Sequence, residues 1–126
     1  MPRKRTTGFT EREIEILTIL WDAGEASVED IRTKLTGTPT GSTVRTLLSV
    51  MVDRGFVVDN GKGYAKLYRA CIDRLEGQRS ALQKFIDTVF SGSTDALLLR
   101  LMDNEDVDLD RLKALQARLE SSEDNE

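Results

Sequence analysis

The chain has 126 residues, of which 32% are charged and 39% hydrophobic; 18 Lys+Arg against 22 Asp+Glu leave a net charge of −4 and an isoelectric point near 5.0. That length suits one modest domain, or one small domain with an appendage. One cysteine and no histidine argue against a disulfide framework, a Ser-His or Cys-His nucleophile pair and the usual soft-ligand zinc or copper site, so neither an enzyme nor a metal or other cofactor is expected, and with no long apolar run or secretory signal the chain is expected in the cytoplasm without a membrane partner.

The first helix opens at Thr10 with Glu13 three residues on, the S/T-x-x-E capping box, and carries Ile14, Leu17, Leu20 and Trp21 towards an interior until Gly24 ends it. Ser27 caps a shorter second helix with Val28, Ile31 and Leu35 on its apolar stripe. Thr36-Gly37-Thr38-Pro39-Thr40 then punctuates the chain. In the third helix, Gly41 to Arg54, a rotation of about 100° per residue gathers Val44, Leu47, Leu48 and Met51 on one side. The other side holds Ser42, Thr43, Arg45, Thr46, Ser49 and Val50. Helices that need only solubility usually carry Glu and Lys there. Short hydroxyls instead let a helix approach a major groove closely, with one arginine to reach guanine or phosphate and threonine methyls to touch thymine. Arg45 has a plainer reading as the partner of Asp53 or Glu29, and Thr43 and Thr46 as solvent-facing residues.

Gly55 permits the left-handed turn that stops this helix. Phe56-Val57-Val58 and Tyr64-Ala65-Lys66-Leu67-Tyr68 read as strands around Asn60-Gly61-Lys62-Gly63, a hairpin or wing. Cys71, just beyond it, reads as a packed small side chain rather than a reactive thiol. The pattern is mainly α with a small β component: a winged helix-turn-helix over residues 1–70, followed by a helical region over 71–126. In that region Leu75, Leu82, Phe85, Ile86, Val89 and Phe90 follow helical spacing, Ser91-Gly92-Ser93 breaks the helix, Asp95 to Asp103 forms another, and Asp108 caps a last one bearing Leu109, Leu112, Leu115 and Leu119. So short a region encloses these leucines poorly. A second copy would cover them, the alternative being that the helices fold back on their own winged domain; Leu112, Leu115 and Leu119 also suit a coiled-coil seam.

Charge follows the same division. Residues 1–70 hold 11 basic against 9 acidic side chains and the remainder 7 against 13, so the basic surplus lies with the helix-turn-helix and includes Arg3, Lys4, Arg5, Arg32, Lys34, Arg45, Lys62 and Lys66. The acidic total argues against strong non-specific binding to nucleic acid. It is also the best support for an alternative, a winged-helix protein–protein interaction module without DNA binding. The acidic stretch Asp103 to Asp110 lacks EF-hand spacing and reads as a solvated loop and helix start.

Phe9-Thr10-Glu11-Arg12-Glu13-Ile14-Glu15-Ile16-Leu17 with Trp21, Ser42-Thr43-Val44-Arg45-Thr46-Leu47-Leu48, Gly55, the Gly63-to-Tyr68 segment, Arg79-Ser80-Ala81-Leu82, Phe90-Ser91-Gly92-Ser93 and Leu97-Leu98-Leu99 through Leu119 together resemble the penicillinase repressor family, whose members include the methicillin-resistance and copper-transport repressors. The resemblance implies a homodimeric winged-helix transcriptional repressor on double-stranded, pseudo-palindromic operator DNA, with a helical C-terminal half that dimerises and is cut by a sensor-controlled protease. On this reading Ser42, Thr43, Arg45, Thr46, Ser49, Lys62 and Tyr64 meet DNA, Leu97, Leu98, Leu101, Leu112, Leu115 and Leu119 form the dimer, and the bond between Arg100 and Leu101 corresponds to the cut. The chain departs from the family at three of these points. Ser42 stands where a long polar residue is frequent, Tyr64 where an arginine follows the wing glycine, and Arg100-Leu101 where Asn-Phe is cleaved. It also ends Ser121-Ser122-Glu123-Asp124-Asn125-Glu126, without the C-terminal cysteine cluster of the copper branch.

Overall fold

The computed structural model describes residues 9–61, 63, 65–103 and 107–124, with side chains as far as Ser121. Helices α1 (Glu11–Ala23), α2 (Val28–Lys34) and α3 (Gly41–Asp53) precede strands β1 (Val57–Asp59) and β2 (Tyr68–Ala70), and α4 (Arg74–Val89), α5 (Thr94–Asp103) and α6 (Leu109–Asp124) follow. This is the expected winged helix-turn-helix with a helical C-terminal region. Packing divides the chain into two compact units, Met1–Lys84 and Phe85–Glu126, so the opening turns of α4 belong with the winged domain.

The capping signals in the sequence are realised. Thr10 Oγ1 accepts from Glu13 N at 3.1 Å while Glu13 Oε1 accepts from Thr10 N at 2.9 Å; Ser27 and Asp30 make the same reciprocal pair at α2. Gly24 and Gly55, with φ of 83° and 84°, take the positive-φ conformations that end α1 and α3 at little steric cost. Ile16, Leu17, Leu20, Ile31, Val44, Leu48, Met51 and Val57 are completely or almost completely buried. At about 1.5–3 kcal/mol for each large apolar side chain, these set the order of magnitude that holds the three helices against the sheet. Ile16, missing from the predicted interior, lies within it, whereas Ile14 and Trp21 are half-buried.

One charged group is in this core. Glu13 is only 4% exposed, and its two oxygens also accept from Arg54 Nη1 at 3.1 and 2.9 Å. The guanidinium in turn lies 4.9 Å from the centre of the Phe56 ring, which meets Phe9 edge-on at 4.6 Å. The start of α1 and the end of α3 are thereby joined across 41 residues of sequence.

The sheet corrects the predicted second strand. Val57, Val58 and Asp59 pair antiparallel with Ala70, Arg69 and Tyr68, so the strand starts where Tyr64–Tyr68 was expected to end. Ala65, Lys66 and Leu67 lie in the connection. The cause is an isolated bridge: Ala26 N donates to Tyr68 O at 3.0 Å and Tyr68 N to Ala26 O at 2.8 Å, fixing the buried Tyr68 between the α1–α2 loop and β1. Cys71, predicted to pack, is exposed; its backbone N–H continues towards Phe56 O at 2.8 Å, which leaves the side chain outside the ladder.

Trp21 connects α1 to the start of α4. Its indole N–H donates to Ile72 O at 2.9 Å, Asp22 pairs with Arg74, and the ring covers Gly77, where a β-carbon would stand 2.6 Å from two ring carbons. In the second unit Ile86 is buried; Ser91 and Gly92, at φ of 52° and 83°, break the chain between α4 and α5. Ser93 Oγ then accepts from Ala96 N, and Asp108 Oδ1 from Arg111 N at 2.7 Å, to cap the last two helices.

Arg54→Ala strands the Glu13 carboxylate and is expected to cost about 2–4 kcal/mol in denaturant unfolding, part of which Glu13→Gln in the same chain should return. Gly77→Ala gains about 1 kcal/mol of helix propensity but collides with Trp21, so a net loss of about 1 kcal/mol is expected at unchanged m-value.

Candidate nucleic-acid interface

The exposed side of α3 is built by its own first turn. Thr40, the N-cap, accepts from Thr43 N at 3.2 Å and donates its hydroxyl hydrogen to Thr43 Oγ1 at 3.0 Å. Thr43 therefore keeps its own hydroxyl hydrogen to offer outward. Thr46 behaves differently, because its hydroxyl donates back to Ser42 O at 3.1 Å and what it presents is a methyl group and acceptor lone pairs. Ser42, Thr43, Arg45, Thr46 and Ser49 are all exposed on this one face, while Val44, Leu48 and Met51 are sealed into the core behind it.

Arg45 is the one charge in that group. Its guanidinium lies back along the helix, with Nη1 3.3 Å from where a β-carbon on Gly41 would stand. Gly41 was not singled out in the sequence; its spacing of four residues from Arg45 is the signal that could have found it. The ion pairs considered for Arg45 are absent among the described residues: Glu29 is held by Arg32 Nε and Nη2 at 2.9 and 2.7 Å, and no described carboxylate bonds to Arg45.

The turn before α3 is held from α1. Glu15 Oε2 accepts from Thr36 N at 2.9 Å and from Thr36 Oγ1 at 2.8 Å, and Arg12 Nη1 donates both to Glu15 Oε1 at 3.0 Å and to Thr36 O at 2.8 Å. The Thr36 backbone and hydroxyl bonds, with the Arg12 guanidinium, lower the Glu15 carboxyl from its ordinary value. A depressed carboxylate contributes stability that is complete above the ordinary glutamate range and is lost as acid titrates it. Beyond Thr36, Gly37 and Thr38 both have positive φ, 80° and 45°, turning the chain sharply into Pro39 and the cap.

On the wing, Asp59 Oδ1 accepts from Gly61 N at 2.7 Å, Asn60 N donates to Leu67 O at 3.1 Å and Asn60 Oδ1 accepts from Leu67 N at 3.3 Å. Lys62 and Tyr64, the expected wing contacts, lie outside the described residues, as do Arg3, Lys4 and Arg5. Arg69, overlooked in the sequence, is exposed on β2 but shares a small open cleft with Glu25 and Asp59, a setting that does not favour phosphate.

A sequence model of the penicillinase repressor family matches residues 9–121. The chain belongs to this family. Methicillin resistance regulatory proteins MecI from Mammaliicoccus sciuri, Staphylococcus aureus strain N315 and Staphylococcus epidermidis are each 23% identical to it over 116 residues, which is 89% of this chain and 93% of theirs. As a penicillinase repressor family member the protein is a DNA-binding transcriptional repressor, and the family is not a class of enzymes.

Within the second unit, Arg100 and Leu101 stand side by side on α5, and Arg100 Nη1 is 3.6 Å from Asp103 Oδ2. Leu97 and Leu112 are half-buried; Leu98, Leu101, Leu115 and Leu119 are exposed. Among the described residues no three His, Cys, Asp or Glu side chains stand together as a metal site, and no helix is long and apolar enough to cross a membrane.

Thr40→Ala removes the α3 cap and is expected to cost about 1 kcal/mol. Amide hydrogen exchange should show the loss as faster exchange at Thr43, whose N–H it satisfies, with the core amides of Leu48 and Met51 retaining their ranking.

Proposed function

We propose that the protein acts in the cytoplasm as a homodimeric repressor whose two winged domains occupy the half-sites of a pseudo-palindromic operator. The observation that carries this reading is the α3 face: short hydroxyls around a guanidinium without a described carboxylate partner, on the recognition helix of a repressor-family fold. In this assignment Thr43 donates to a base edge or phosphate, Thr46 offers its methyl to thymine, Ser42 and Ser49 make short polar contacts, and Arg45 swings out to guanine or phosphate. Lys62 and Tyr64 serve as backbone contacts from the wing. Residues 1–70 read DNA, and within residues 71–126 the helices beyond the opening turns of α4 pair the chains.

Pairing is supported by what the second unit leaves uncovered. No residue of α5 is buried, and Leu98, Leu115 and Leu119 are 43%, 50% and 68% exposed. With Leu97, Leu101 and Leu112 they supply the apolar surface that a second copy would remove from water. Control by a sensor-dependent protease at Arg100–Leu101 acts on the same surface: a cut within α5 separates α6 and its leucines from the rest and so removes apolar area from the pairing of the chains. MecI proteins carry methicillin-resistance regulation in their name; the present chain extends that kind of regulation to its own operator.

A mobility-shift titration on the DNA upstream of the protein's own gene, run at two salt concentrations, is the direct test. Saturable, sequence-selective binding that weakens with salt is expected; no selective complex at either salt would favour a protein-binding winged helix, which the net charge of −4 suits better.

Arg45→Ala is expected to weaken operator binding by about 1–3 kcal/mol with unchanged helical content and dimerisation. Deleting Ser91 onward should leave a largely monomeric winged domain whose operator affinity falls by about 100-fold or more, since the half-sites then bind independently; sedimentation and anisotropy measure the two effects. Mass spectrometry of the protein from derepressed cells should find fragments ending at Arg100, and an intact chain throughout would remove proteolysis from the mechanism.

A further inference from the structure

We infer that Glu15, held by Arg12, is a positioning residue for DNA recognition: it grips Thr36 and so fixes the turn from which the recognition helix starts. The inference rests on the operator-binding reading above. Thr36 has three polar groups and the α1 pair engages all of them, N–H and hydroxyl on Glu15 and carbonyl on Arg12. These bonds span 21 and 24 residues of sequence, so they are not a by-product of local helix geometry. Of the residues that follow, Gly37 and Thr38 have little intrinsic preference for the conformations they adopt. Gly37 gains nothing from a side chain, Thr38 sits at φ of 45° where a β-branched residue is strained, and two residues later Thr40 caps α3.

The location of the network decides its role. Arg12 and Glu15 side chains are 36% and 34% exposed, and exposed ion pairs contribute little to global stability. The core behind α3, formed by Val44, Leu48 and Met51, holds the helix in place without them. Buried Leu35 and its carbonyl's bond from Thr38 N at 3.1 Å anchor the start of the α2–α3 turn; the Thr36 bonds add the link to α1 that bears on the rest of its path and, through the cap, on the register of the first turn of α3, where Ser42, Thr43 and Arg45 lie. Base readout depends on that register, whereas phosphate attraction tolerates its loss.

The experiment compares Glu15→Ala and Glu15→Gln with the unsubstituted full-length protein. Anisotropy titrations use a labelled duplex from upstream of the protein's own gene and a scrambled duplex of equal length and composition. For Glu15→Ala the selectivity ratio between the two is expected to fall about 10-fold, as for loss of one good base contact, with scrambled-duplex affinity retained and the melting temperature within a few degrees. Glu15→Gln, which keeps an acceptor for Thr36, should recover most of the ratio. A parallel loss on both duplexes, a ratio that does not move, or a Gln variant no better than Ala would overturn the inference. Amide NMR of the free protein provides an arm independent of any operator: Glu15→Ala should shift Thr36, Gly37 and the Ser42–Arg45 resonances. Shifts confined to α1 and Thr36 would overturn the positioning role even if the upstream duplex is not bound, and a wild-type chain that shows no selectivity while the NMR shifts appear would place the failure in the operator reading alone.

Discussion

The Glu13 carboxylate is the point on which the winged domain turns. It closes the N-terminal cap of α1 and, with the same oxygens, receives Arg54 from the residue that ends α3. A buried charge is costly unless its lone pairs are satisfied and a counter-charge is near. Here one carboxylate satisfies an orphan helix donor and a guanidinium together, and the guanidinium is roofed by Phe56, which packs on Phe9. Apolar contact holds α3 in place but is nearly non-directional. The ion pair adds a directional contact at the far end of α3 that ties it to α1.

The recognition helix is thus held at its C-terminal end by a buried ion pair and at its N-terminal end by the exposed grip of Glu15 and Arg12 on Thr36. Between them the core side is apolar and the outer side carries small groups. This arrangement places no large polar side chain on the exposed face except Arg45, and it makes the two threonines chemically distinct: one hydroxyl is free to donate and the other is committed to the helix backbone.

What was legible in the sequence is what depends on near neighbours. The Thr10–Glu13 capping box, the Ser27 cap, the glycine stops and the α3 periodicity all act over a few residues, and they appear in the structure where the residues place them; that Asp30 completes a second box at α2 was not read from the sequence. Interactions across long separations were not legible. Nothing local marks Arg54 as the partner of Glu13, or Thr36 as that of Glu15. The second strand was misplaced because Tyr64 to Tyr68 has strand-like composition, whereas the bridge from Ala26 that fixes Tyr68 comes from another part of the chain. Gly77, unremarkable as a letter, is explained only by the ring of Trp21 lying over it. For the outer face of α3, periodicity could identify the side but not that Thr46 turns its hydroxyl inward or that Arg45 lies over Gly41.

The double hydrogen bond between Ala26 and Tyr68 ties the base of the wing to the loop between α1 and α2, and the Asn60–Leu67 pair closes the hairpin just above it. Residues 61–66 connect the two sides of the Asn60–Leu67 pair. Their length and charge can drift over evolutionary time without disturbing strand register or the seat of α3. On the operator-binding reading proposed above, a lineage carrying this scaffold retunes its hold on the sugar-phosphate chain at residues 61–66 and its choice of bases on α3, so that strength and selectivity evolve as nearly independent traits.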